Sequence, residues 1–135
     1  MVKASAAPAN SAPLVLGLNE AGESQRAAVG GKAANLAVLL RAGMPVPRSF
    51  CVTTAAFEQF LGSLPGWTRF SELLSGCSTA RMDQLAELSR EAQSCLAASV
   101  VPPAVREAVL AAWRELGDGG RYAVRSSATV EDAPG

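Results

Sequence analysis

A chain of 135 residues with about half its side chains apolar can enclose one hydrophobic core, and its twelve basic and twelve acidic groups cancel to zero formal charge. That balance argues against a general nucleic-acid binder, which needs a net basic face, while leaving room for one small cationic pocket. Histidine is absent, so metal chemistry through imidazole, a Ser-His-Asp triad and a Cys-His pair are all excluded.

In chain order, residues 1–13 are rich in Ala, Ser, Pro and Asn with little to bury, and read as a disordered leader. Leu14 to Leu18 is a short apolar run that suits a buried strand. It falls well short of a signal-peptide core of about 7–15 residues and of a membrane span of about 20, so a soluble, cytoplasmic protein with no membrane partner is expected. The polar stretch Asn19 to Gln25 reads as a loop. From Lys32 to Ala42, Leu36, Leu39 and Leu40 recur at helical spacing, which predicts an amphipathic helix that starts at Gly30-Gly31-Lys32. Gly43 is its cap, and Pro45 and Pro47 forbid continuation.

Phe50-Cys51-Val52 reads as a second short strand. Thr54 is placed to cap a helix whose face carries Phe57, Phe60 and Leu61. Gly62, Pro65 and Gly66 make a loop, Trp67 to Leu74 a short helix, and Gly76 to Thr79 a break. A longer helix from Ala80 presents Met82, Leu85, Leu88, Ala92 and Leu96 and stops at Pro102-Pro103. Pro103 opens the next helix, with Val105, Val109, Trp113 and Leu116 on its face and Gly117 after its end. Trp67 and Trp113 are expected in the core. After the Asp118-Gly119-Gly120 turn, Arg121 to Arg125 alternates and carries the residues of a third strand. Cys51, Cys77 and Cys95 are odd in number and form no Cys-x-x-Cys pair, so neither a disulfide framework nor a zinc site is indicated. The expected architecture is α/β (α+β), helix-rich with a few short strands. So few strands leave sheet edges uncovered, which predicts a piece of a longer protein, truncated at its C-terminus.

Two segments are suited to phosphate. In Val29-Gly30-Gly31-Lys32 the glycines let backbone N–H groups approach an anion, the helix start adds partial positive charge, and Lys32 adds a full one. A Walker A loop is ruled out, because Arg26 stands where that pattern needs glycine and Ala33 where it needs a hydroxyl. In Val124-Arg125-Ser126-Ser127-Ala128-Thr129, Arg125 offers a planar fork of donors beside three hydroxyls. A plainer role is open to each: Arg125 can pair with Glu131 or Asp132, and Thr129 with Asp132 fits a capping box.

These two segments, with Gly43-Met44-Pro45-Val46-Pro47 and Phe50-Cys51-Val52-Thr53-Thr54 between them, resemble in order and approximate spacing the start of the ATP-binding domain of the phosphoenolpyruvate synthase, pyruvate phosphate dikinase and rifampicin phosphotransferase family. The likeness runs from about residue 14 to the last residue. It implies a partial ATP-grasp fold, with residues 14–135 as the N-terminal portion of the domain. It implies ATP as the ligand, with Lys32 and Arg125 on its phosphates and Gly30, Gly31, Ser126, Ser127 and Thr129 in support.

No catalytic residue is implied within the chain. The family passes phosphate through a histidine on a downstream domain to an acceptor held by further domains, and uses Mg2+ whose ligands lie outside this segment. Pyruvate is the leading acceptor and a rifampicin-type antibiotic the alternative. A non-catalytic remnant or interaction module is a third possibility, whose mark would be loss of the two cations. Ala33 and Arg48-Ser49 depart from common family residues without touching the implied phosphate contacts.

Overall fold

The computed structural model describes residues 12–76, 82–117 and 120–127. Among these, residues 12–55 with 125–127 form one compact unit, and 56–117 with 120–124 form a second. The leader up to residue 11, the Asp118-Gly119 part of the turn, Cys77 and Thr129 lie outside the described residues.

In the first unit, strand β1 (Val15–Gly17) pairs antiparallel with β2 (Phe50–Val52), in the register Val15 to Val52, Leu16 to Cys51 and Gly17 to Phe50. The pairing continues at both ends, with Leu18 N donating to Ser49 O at 3.0 Å and Thr53 N to Leu14 O at 3.0 Å. Thr53 is buried, and its hydroxyl finds an acceptor in Pro13 O at 2.6 Å, which fixes the chain just before β1. A buried hydroxyl left without such a partner costs about 1–3 kcal/mol.

Helix α1 (Arg26–Arg41) lies between the strands in sequence and is preceded by a 3-10 turn at Glu23–Gln25. Helical structure thus begins earlier than the glycine pair suggests, and part of the expected loop is a helical turn. The helix ends as expected. Gly43 takes φ +76°, its N–H donates to Leu40 O at 3.1 Å, and Met44 N donates to Leu39 O at 3.1 Å, the paired bonds of a glycine-capped C-terminus. In the last turn, the Arg41 guanidinium reaches back to Ala21 O at 2.6 Å and passes over Gly22, where a Cβ would meet it at 3.0 Å.

Of the predicted face of α1, Leu40 packs against the core, but the fully buried residues are others. Ala33, Ala34 and Ala37 are buried with Val29, Leu18 and Ala21, and Leu16, Leu40, Val46 and Cys51 pack around them. Leu36 and Leu39 are 39% and 45% exposed. Gly30, Ala33, Ala34 and Ala37 recur at the same helical spacing as the leucines, so the sequence carries two stripes. The small one wins because it lets the helix axis come close to the strands and the Leu18 turn, with dense contact that bulky side chains would prevent.

The second unit contains most of α2 (Thr54–Gly62), with α3 (Trp67–Gly76), α4 (Met82–Ala98) and α5 (Pro103–Leu116). Among the described residues, its buried apolar side chains are Ala56, Leu64 and Val105. On α2 the small Ala56 is inside and Phe57 is 56% exposed, against expectation. Pro103 occupies the first turn of α5, and Gly117 leaves it at φ +91°, as the Pro-first, Gly-last asymmetry predicts. Trp113 is not a core residue. It lies on the surface of α5 with its ring centroid 4.3 Å from that of Tyr122, whose hydroxyl donates to Gly117 O.

No strand forms at Arg121 to Arg125. The composition suits a strand, but a strand exists only where a neighbour completes its hydrogen bonds, and among the described residues the sheet consists of β1 and β2. Val124 is 95% exposed in consequence. The result is a helix-rich α/β arrangement with one small antiparallel sheet.

Candidate functional site

The Gly-Gly-Lys segment sits at a break inside α1. Gly30 takes φ +79° and ψ 167°, outside helical geometry, so Arg26–Arg41 is two helical segments joined at this residue. Only glycine adopts that conformation without steric cost, which explains the residue type. The second segment restarts at Gly31, and its first-turn N–H groups and positive dipole end belong to Gly31, Lys32 and Ala33. Gly30 and Gly31 are buried and Lys32 is half-buried. Lys32 is therefore the group of this trio with the most access to a ligand.

Ahead of the break, Arg26 holds Glu23 with both arms of its guanidinium, Nε to Oε1 at 2.7 Å and Nη2 to Oε2 at 3.0 Å. Nη2 also donates to Asn35 Oδ1 at 3.1 Å, on the far side of the break. The Arg26 hydrogen bond is the main reason that the Glu23 carboxyl lies below its usual value of 4.5. The Thr54 hydroxyl donates to Ala27 O at 3.4 Å, so the first residue of α2 also touches the short segment. None of these partners was singled out from the sequence. The Glu-x-x-Arg spacing of Glu23 and Arg26 was a readable signal for the first pair, whereas the Arg26 to Asn35 contact had none.

Arg125, Ser126 and Ser127 are exposed, outside any helix or strand, and belong to the same compact unit as Lys32. Among the described residues Arg125 has no hydrogen bond or ion pair. Arg125 is open to solvent. Cys51, in β2, has its thiol pushed up by burial and stays protonated near neutrality. No group of three or more His, Cys, Asp or Glu side chains converges among the described residues, and no step is assigned to a metal ion. No single helix there is long and apolar enough to cross a membrane.

A lysine at a helix restart and an exposed arginine are residue types that anion-binding sites use. The chain belongs to the pyruvate phosphate dikinase AMP/ATP-binding domain family, which matches residues 26–135. It is 40% identical over 121 residues to the rifampicin phosphotransferase of Streptomyces sviceus, covering 89% of this chain and 14% of that protein. The phosphoenolpyruvate synthase of Aeropyrum pernix is 36% identical, with 90% of this chain and 16% of that protein covered. That of Escherichia coli is 34% identical, with 92% and 16% covered. The chain therefore spans about 14–16% of the length of these relatives.

Proposed function

We propose that this chain supplies part of the ATP site of a phosphoenolpyruvate synthase-like phosphotransferase, with Lys32 and Arg125 on the ATP phosphates. The match of the AMP/ATP-binding domain to residues 26–135, a span that contains both cations, carries this reading. Gly30, Gly31, Ser126, Ser127 and Thr129 support the two cations with backbone and hydroxyl donors. In the whole protein, which we place in the cytoplasm, ATP with Mg2+ phosphorylates a histidine on a downstream domain, and the phosphoryl group then passes to pyruvate. Transfer to a rifampicin-type antibiotic is the second reading. It is favoured by the 40% identity to a rifampicin phosphotransferase. The cations treat ATP alike in both readings, and the acceptor is chosen by other domains.

The chemistry left to these residues is positioning and charge stabilisation, the main contributions in phosphoryl transfer. One cation about 4 Å from a phosphate charge gains about 1 kcal/mol in bulk water and about 4 kcal/mol where the dielectric is reduced near a protein surface. Titration of the chain with ATP tests the assignment. Lys32→Ala and Arg125→Ala are each expected to weaken binding at least about tenfold, because losing a charge-assisted hydrogen bond costs about 1.5–3 kcal/mol. Arg125→Lys keeps the charge, loses the fork, and should fall between. Unchanged affinity in both alanine variants would remove the assignment.

A further inference from the structure

Resting on the nucleotide reading above, we propose that Arg26 is a positioning residue for Lys32: by clasping Glu23 before the Gly30 break and Asn35 after it, it holds the helix restart that aims the lysine.

The contact is informative because of its spacing. Residues 26 and 35 in an unbroken α-helix are separated by about 13.5 Å along the axis, with their Cα atoms on opposite sides of it, beyond the reach of an arginine to an asparagine side chain. The 3.1 Å bond from Arg26 Nη2 to Asn35 Oδ1 therefore exists only when the helix is broken at Gly30. The flanking Ala27, Ala28, Ala33 and Ala34 are the best helix formers, while the glycine pair between them costs about 1 kcal/mol per residue in a helix and visits φ > 0 freely, so the pair permits a break without fixing its geometry. Something must hold the junction at φ +79°. The Arg26 guanidinium does so with three hydrogen bonds to two partners on opposite sides of it. Asn35 is one turn after Lys32, so fixing Asn35 fixes the stretch of helix from which Lys32 projects. Straightening would merge the two segments, give the amides at the restart intrahelical partners, and swing Lys32 away.

The test uses the full chain and two measurements. Hydrogen exchange of the amides from Gly30 to Asn35 is compared between wild type, Arg26→Ala, Asn35→Leu and the double variant, and ATP binding is titrated in the same set with Lys32→Ala beside it. Each single variant should shift the exchange rates and weaken ATP binding by about threefold, within the range of an exposed pair held in good geometry. The double variant should lose no more than either single one, since both remove the same contact. Arg26→Lys should restore little, because an ammonium cannot hold both partners with the same fork.

Exchange rates unmoved in Arg26→Ala would overturn the brace. Altered exchange with ATP binding unmoved, in a chain whose binding Lys32→Ala does weaken, would overturn its positioning role alone. If the wild-type chain takes up no ATP, or Lys32→Ala binds it as well as wild type, the nucleotide reading fails and the positioning role fails with it. Exchange then still decides whether Arg26 holds the break.

Discussion

Arg26 and Glu23 show how little an exposed ion pair contributes to stability and how much it can contribute to shape. Side chains 38% and 69% exposed form a pair that adds little to folding, since water and salt screen it. Its effect on the Glu23 carboxyl is nonetheless direct. The hydrogen bond from Arg26 favours the ionised form, so the folded-state value lies below 4.5. The sign follows: the pair's contribution is complete above the ordinary carboxylate range and is lost as pH falls through the lowered value. A titration of Glu23 followed by carboxyl NMR should give a midpoint below 4.5 in wild type and a return toward 4.5 in Arg26→Ala. Equal midpoints in the two proteins would show that the clasp does not persist in solution.

At the scale of an element, α1 has two apolar stripes and buries the smaller. Two substitutions separate that arrangement from the predicted one. Ala34 is fully buried, so Ala34→Leu forces extra methylenes into a close helix-to-strand contact and should destabilise by about 1–3 kcal/mol. Leu39 is 45% exposed, so Leu39→Lys should change stability by no more than about 0.5 kcal/mol. Thermal or urea unfolding of the two variants decides between the faces, and the reverse ranking would mean that the leucine stripe is the one packed inside. The helix end was legible in the sequence because Gly43 and the prolines after it act locally, through backbone conformation alone. The buried face was not, because periodicity finds a stripe without saying how closely a neighbour approaches.

For the whole molecule, the same limit applies to the expected third strand. Arg121 to Arg125 has strand composition, yet a strand is a relation between two segments, and the described residues offer no partner for this one. Tyr122 instead packs on Trp113, so the aromatic residue is satisfied by a helix rather than by a sheet. The chain by itself is expected to produce no AMP from ATP. It has no histidine to carry a phosphoryl group, and phosphoryl transfer needs positioned charges around the whole γ-phosphate. Incubating the purified chain with ATP and magnesium and resolving the nucleotides by chromatography checks this. AMP formed in proportion to the chain, and abolished by Lys32→Ala, would show a more complete active centre than these residues suggest.

The sequence by itself determined the family, the positions of the two cationic motifs, the helix ends marked by Gly43, Pro103 and Gly117, and the positions of the segments that form β1 and β2. Each of these depends on residue type at fixed local spacing, where backbone sterics and charge act without help from distant parts of the chain. Only the tertiary structure decided that Gly30 breaks α1, that Arg26 reaches Asn35 across the break, that the alanines rather than Leu36 and Leu39 are buried, and that Arg121 to Arg125 finds no strand partner among the described residues. These four depend on which surfaces meet, and contacts between segments far apart in sequence outweigh the few tenths of a kcal/mol by which local preferences differ.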